Sequence, residues 1–134
     1  MPFVSEFGIF KAYIKKAMQP VKTFDQLKLT PNQQDALAEI RRRLLGFLGI
    51  QSIHLFGSVT RDEADEDSDI DLLIITEQPL KRPVRHQITE IVFDINLQYD
   101  TNFSTLVVDR ASWKDGLFSV LPIHDEILRE GVAI

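Results

Sequence analysis

The residues with the clearest chemical potential are two aspartates, Asp69 and Asp71, in the run Ser68-Asp69-Ile70-Asp71-Leu72-Leu73. On an extended strand, positions i and i+2 share a face, so the two carboxylates project together while Ile70 and Leu72 turn to a core. Two carboxylates held ~7 Å apart at Cα resist joint ionisation unless a cation bridges them. Hard oxygen donors of this kind suit Mg²⁺ or Mn²⁺, which commonly combine one or two carboxylates with substrate phosphates. Upstream lies Leu55-Phe56-Gly57-Ser58, where a strand runs straight into a glycine. Glycine lets backbone approach a ligand closely, and Ser58 adds a hydroxyl beside exposed N–H groups, an arrangement that can cradle phosphate. Carboxylates for a metal facing a phosphate cradle describe metal-assisted displacement at phosphorus. A solvated strand end and a plain turn are the bland alternatives. A calcium loop built on Asp65, Asp67 and Asp69 fails, because Ile70 stands where its glycine belongs and Thr76 where its glutamate belongs.

The elements that must position these residues follow from periodicity. Ser52 to Phe56 reads as a short strand and Ile70 to Ile75 as a nearly continuous apolar one. Before them, Phe7, Phe10, Ile14 and Met18 recur at helical spacing until Pro20, followed by a linker over Val21 to Leu29. A second helix starts at Thr30 as N-cap, with Pro31 in its first position and Gln33 completing a capping box. Its stripe is Leu37, Ile40, Leu44 and Leu48, and Gly49 is the expected stop. After the Gln78 to Pro83 connection, Ile88, Ile91, Val92, Ile95 and Tyr99 fit one helical face. Phe93, Ile95, Leu97 and Tyr99 also alternate as a strand would, but length favours the helix. Phe103 to Val108 is the third strand, and Pro122 to Glu130 a last helix with Gly131 as its C′ residue and Val132-Ala133-Ile134 trailing. The expectation is an α+β fold, a small mixed or antiparallel sheet with helices packed on it. Residues 1–29 form an N-terminal helix and linker, and residues 30–134 the main domain.

Composition bounds the rest. The 134 residues carry a net charge of −5, yet the seven acids from Asp62 to Asp71 alone contribute −7, so the remainder sums to +2. The acidity is local, and such a run is either a solvated loop or a place that attracts cations. With no broad basic surface, nucleic acid is not a favoured partner. Absence of cysteine excludes disulfides and thiolate zinc sites. No apolar run approaches the ~18 residues of a membrane span, and no signal pattern opens the chain, so a cytoplasmic location is expected. His54, His86 and His124 lack metal-ligand spacing, and Arg41-Arg42-Arg43 reads as a solvated helix face. Lys81, Arg82 and Arg85 read as a soluble loop, with contact to a phosphate as the sharper alternative.

The string Gly57-Ser58-Val59-Thr60-Arg61, followed by Ser68-Asp69-Ile70-Asp71-Leu72, resembles the signature of the minimal nucleotidyltransferases in the DNA polymerase β superfamily. That resemblance implies a polymerase β palm-like fold. It also implies that Asp69 and Asp71 hold Mg²⁺ or Mn²⁺, that Gly57 and Ser58 contact a nucleoside triphosphate, and that Arg61 and Ser68 belong to the nucleotide site. Where the consensus continues Ala-Arg-Gly, this chain has Thr60-Arg61-Asp62. A third carboxylate, which active members carry on a later neighbouring strand, falls near Asn102 or Ser104, and neither is an acid. Residues 100, 102 and 104 share one face by the period-two rule, which makes Asp100 the nearest replacement and Asp94 the runner-up. A site without a third acid is the remaining reading.

By the resemblance, the activity is Mg²⁺-dependent transfer of a nucleoside monophosphate, AMP from ATP, onto an acceptor. The chain is too short to build a large substrate domain, so the acceptor is another protein or the site is completed by a second copy. Relatives encoded beside HEPN-domain toxins point to an antitoxin acting on such a partner. Two alternatives stand beside it: a non-catalytic module that neutralises the partner by binding, and transfer to a small molecule such as an aminoglycoside. The Phe7/Phe10/Ile14 helix and the pair Phe93/Leu97 are candidate contact surfaces, with core packing as the plainer reading of both.

Overall fold

The computed structural model describes residues 6–20, 22–47, 49–65 and 67–134. Val21 of the linker, Leu48 of the helical stripe, Glu66 of the acidic loop and the Phe7 side chain lie outside the described residues. Four strands form one mixed sheet in the order β3-β2-β1-β4: β1 (Ile50–Phe56), β2 (Ile70–Thr76), β3 (Phe103–Asp109) and β4 (Val132–Ala133). β1 runs antiparallel to β2 and to β4, whereas β2 and β3 are parallel. Parallel neighbours need a long crossover, and α3 (Arg82–Tyr99) supplies it. Its Ile88, Val92 and Ile95 are buried, as the helical stripe predicts, while Phe93 and Leu97 face solvent.

Both faces of the sheet are covered. Ile70, Leu72 and Ile74 point to one side, where α2 (Pro31–Leu45) and α3 bring Leu37, Ile40, Leu44, Ile88 and Ile95. Leu73 and Ile75 point to the other, against α1 (Glu6–Ala17), α4 (Arg110–Lys114) and α5 (Pro122–Glu130). A strand buried on both faces must be apolar throughout, which is why β2 shows no polar alternation after Asp71. Phe10, Ile14 and Met18 are buried here with Trp113 and Ile127, and Gln19 N–H donates to the Leu128 carbonyl at 3.0 Å. Phe10 and Ile14 are therefore core residues and not an open contact face.

The expected cap of α2 is present: Thr30 Oγ1 accepts from Gln33 N–H at 3.2 Å, and Gln33 Oε1 accepts from Thr30 N–H at 2.9 Å. The helix stops earlier than Gly49, at Leu45 with Gly46 as cap, and Gly49 instead turns the chain into β1 at φ +90°. Gly131 follows α5 with extended backbone, φ −61°, in place of a left-handed C′ residue. The next two residues do not trail. They form β4, and Ile134 N–H donates to the Ile53 carbonyl at 3.1 Å. Among the described residues no helix is long and apolar enough to cross a membrane.

Candidate active site

The end of β1 and the start of β2 meet because the two strands are antiparallel, with Phe56 opposite Asp71. Gly57 then leaves β1 at φ +84°, ψ −154°, a region open in practice only to glycine. A Cβ built there overlaps Asp71 Oδ2, so the residue must be glycine for space as well as for conformation. The chain turns into a 3₁₀ segment, Ser58–Arg61, held by Thr60, whose N–H and Oγ1 both donate to the Gly57 carbonyl at 3.0 and 2.7 Å. Asp62 closes it in left-handed backbone and pairs with Lys22. Asp69 and Asp71 stand one residue before and one residue into β2, with Ile70 between them buried on the opposite face.

β3 completes the arrangement. Its parallel register sets Phe103 beside Ile70 and Ser104 beside Asp71. Ser104 Oγ donates to Asp71 Oδ1 at 2.7 Å, and Asn102 Nδ2 donates to Asp69 Oδ1. The register is fixed from α3: Asn96 Nδ2 donates to the Phe103 carbonyl and Asn96 Oδ1 accepts from Phe103 N–H, both at 2.9 Å. Asp100 does not share this face. It caps α3 in left-handed backbone at φ +55°, outside β3, so strand alternation cannot be extended back to it. Asp94 is exposed on α3. The positions beside the two aspartates thus hold an amide and a hydroxyl, both acting as donors.

Residues 35–120 match the family model described as the nucleotidyltransferase domain. The chain belongs to that family. The nucleotidyltransferase fold also appears in a solved structure described as "the toxin-antitoxin with AMP-PNP", at TM-score 0.50 and 17% identity, over 75% of this chain and 70% of that one. A putative nucleotidyltransferase from Sulfolobus solfataricus aligns at TM-score 0.40 and 17% identity, over 63% of this chain and 79% of that one. No curated protein matches the sequence.

Other residues expected in the nucleotide site of this nucleotidyltransferase domain are engaged elsewhere. The Arg61 guanidinium meets Glu63 at 3.1 Å, Glu126 at 3.1 Å and Glu130 at 2.7 Å, binding the 3₁₀ segment to α5. Its pKa is raised, first by the hydrogen bond to Glu63 and then by Glu130. The Ser68 hydroxyl closes the acidic loop: it donates to Asp65 Oδ1 at 3.0 Å and accepts from Asp65 N–H at 3.1 Å. Asp65 Oδ1 also accepts from Asp67 N–H at 2.9 Å.

Two carboxylates side by side are hard oxygen donors, the kind that Mg²⁺ or Mn²⁺ takes together with substrate phosphates. Oδ1 of Asp69 is occupied by Asn102, just before β3, and Oδ1 of Asp71 by Ser104 on β3, while Oδ2 of each takes no hydrogen bond from the described residues. Among the described residues, no group of three or more acids or histidines is arranged to hold a metal ion. The family resemblance points to Asn102 and Ser104 as the positions beside the pair, and they lie there; that each donates to one aspartate depends on strand register and on the Asn96 clamp, a tertiary contact.

Proposed function

We propose that this nucleotidyltransferase domain moves a nucleoside monophosphate, AMP from ATP, onto an acceptor on another protein, with Mg²⁺ or Mn²⁺ held by Asp69 and Asp71. The observation that carries this reading is the Asp69/Asp71 pair beside the glycine turn, each carboxylate keeping one oxygen without a hydrogen bond. A bound divalent ion would neutralise charge on the triphosphate and on the departing pyrophosphate. Gly57 offers its backbone to the phosphates without a Cβ in the way, and Ser58 offers a hydroxyl. Asp69 and Asp71 orient the site by their positions on β2. The acceptor hydroxyl oxygen bonds to the α-phosphorus while the bond from that phosphorus to the bridging oxygen breaks, pyrophosphate leaves, and the hydroxyl proton passes to water or to the departing pyrophosphate. Arg61 would reach the phosphates by exchanging its glutamate partners for them.

The fold likeness to a toxin–antitoxin structure supports a protein partner, and the motif resemblance makes a toxin of the HEPN kind the proposed acceptor. The Phe93 and Leu97 side chains, 59% and 70% exposed on α3, are the proposed contact surface. A second reading, neutralisation by binding alone, is favoured by one observation: Asn102, just before β3, and Ser104 on it face the aspartates, and among the described residues no carboxylate joins them there to take the acceptor's proton.

Calorimetric titration of ATP and Mg²⁺, beside an Asp69→Ala/Asp71→Ala control, tests the nucleotide site. Incubation with partner and ATP labelled in the α-phosphate then tests transfer. Label on the partner that requires both aspartates supports transfer. Binding of nucleotide and partner without label favours neutralisation, and no nucleotide binding by the folded protein refutes the nucleotide-dependent reading.

A further inference from the structure

Asn102 and Ser104 are both exposed, so neither is placed by core packing. Each nevertheless spends its donor on one oxygen of one aspartate, Asn102 on Asp69 Oδ1 and Ser104 on Asp71 Oδ1. Their strand is held in register from behind by the double Asn96 bond to Phe103, the residue between them. Two donors on one strand, two carboxylates on the next and a rigid clamp together fix which oxygen of each carboxylate is left for a ligand. Partners of this kind orient ligating groups and set metal affinity, typically by 10–100-fold.

The same contacts limit how many cations the site can take. Two-metal centres hold ions about 3.5–4 Å apart and require enough anionic ligands to offset their mutual repulsion. Here the two aspartates supply −2, and no third acid or histidine joins them among the described residues. The groups turned toward the carboxylates, from Asn102 just before β3 and Ser104 on it, are an amide N–H and a hydroxyl O–H, which donate to the carboxylates and add no negative charge to offset a second cation. We infer that Asn102 and Ser104 are positioning residues that preset Asp69 and Asp71 for a single divalent cation, so that each chain binds one cation with one nucleotide. This rests on the nucleotide-site reading above.

Equilibrium dialysis of the full chain against Mn²⁺ and α,β-methylene-ATP, which cannot lose pyrophosphate, counts bound metal and nucleotide separately. The expected result is one Mn²⁺ and one nucleotide per chain. Two Mn²⁺ per nucleotide overturns the inference while leaving the nucleotide site standing, and neither ligand bound refutes the site itself. Asn102→Ala and Ser104→Ala are expected to keep the one-to-one ratio with ~10-fold weaker Mn²⁺ binding each. Unchanged affinity in both variants, with circular dichroism showing them folded, overturns the positioning role. Asn102→Asp supplies the missing acid without changing side-chain size and is expected to raise the count to two Mn²⁺ per nucleotide. A count of one there, at wild-type affinity, overturns the placement of residue 102 at the metal.

Discussion

Gly57→Ala tests the geometry of the site most directly. The residue sits at φ +84°, ψ −154°, and strain from a non-glycine residue in such a region costs ~1–3 kcal/mol. The added Cβ would also overlap Asp71 Oδ2 and stand 3.4 Å from its Cγ, so the Asp71 carboxylate must swing away. That movement breaks the 2.7 Å bond from Ser104, worth about 1 kcal/mol at an exposed position. The combined loss is ~2–4 kcal/mol, which lowers the thermal midpoint of a domain this size by ~6–12 °C. Gly49→Ala is the matched control, since Gly49 also has positive φ, +90°, but nothing lies within 4 Å of a Cβ there. It carries strain alone, on the order of 1 kcal/mol. Thermal unfolding by circular dichroism compares the two, and dialysis with Mn²⁺ and α,β-methylene-ATP reads the site. Gly57→Ala should lose cation and nucleotide binding while Gly49→Ala keeps both. Equal stability loss in the two variants, or wild-type binding by folded Gly57→Ala, refutes the close approach of Gly57 to Asp71.

Burial pushes the His54 imidazole down to about 4, so between about 6.5 and 4 the unfolded chain takes a proton that the folded chain refuses. Stability is therefore complete above the unfolded pKa and falls with pH toward 4, by ~3 kcal/mol from this group. Urea unfolding at pH 7 and pH 4.5 should show a smaller loss in His54→Leu than in the wild type, and an equal loss removes His54 as the cause. Arg61 is a third exposed and its three glutamates are partly solvated, so Arg61→Gln should cost only ~1 kcal/mol, with the difference shrinking in 1 M salt. A salt-independent loss of several kcal/mol would show that the network holds α5 more firmly than screened ion pairs can. Thr30→Ala removes an N-cap and half of a capping box, and should lower stability by ~1 kcal/mol in denaturant titration without touching nucleotide binding.

What the sequence discloses here depends on how local the cause is. Asp69 and Asp71 share a face because they are two apart on one strand, and nothing distant is needed to know it. Thr30, Pro31 and Gln33 mark a helix start within four residues, and the apolar run of β2 reports burial on both sides. Less was readable where neighbours decide. The two residues of β4 are too short to show a period, and they are a strand only because β1 has a free edge for them. Gly46 ends α2 before Gly49, where the next element begins. Asp109 caps α4 through Ser112 N–H at 3.0 Å, a short helix that no periodicity could signal.

The third strand shows the same limit at the point where it matters for chemistry. Strand alternation from Ser104 reaches Asn102 correctly, then stops, because the chain at Asp100 turns through left-handed backbone to leave α3. An acid three residues before a strand is therefore not an acid on its face. What stands on the face is an amide and a hydroxyl that donate to the two aspartates and add no charge beside them. The nucleotidyltransferase domain accounts for the α+β fold with its four-stranded mixed sheet. On the proposed reading, how many cations enter, and whether the acceptor's proton finds a base, turns on Asn102 and Ser104.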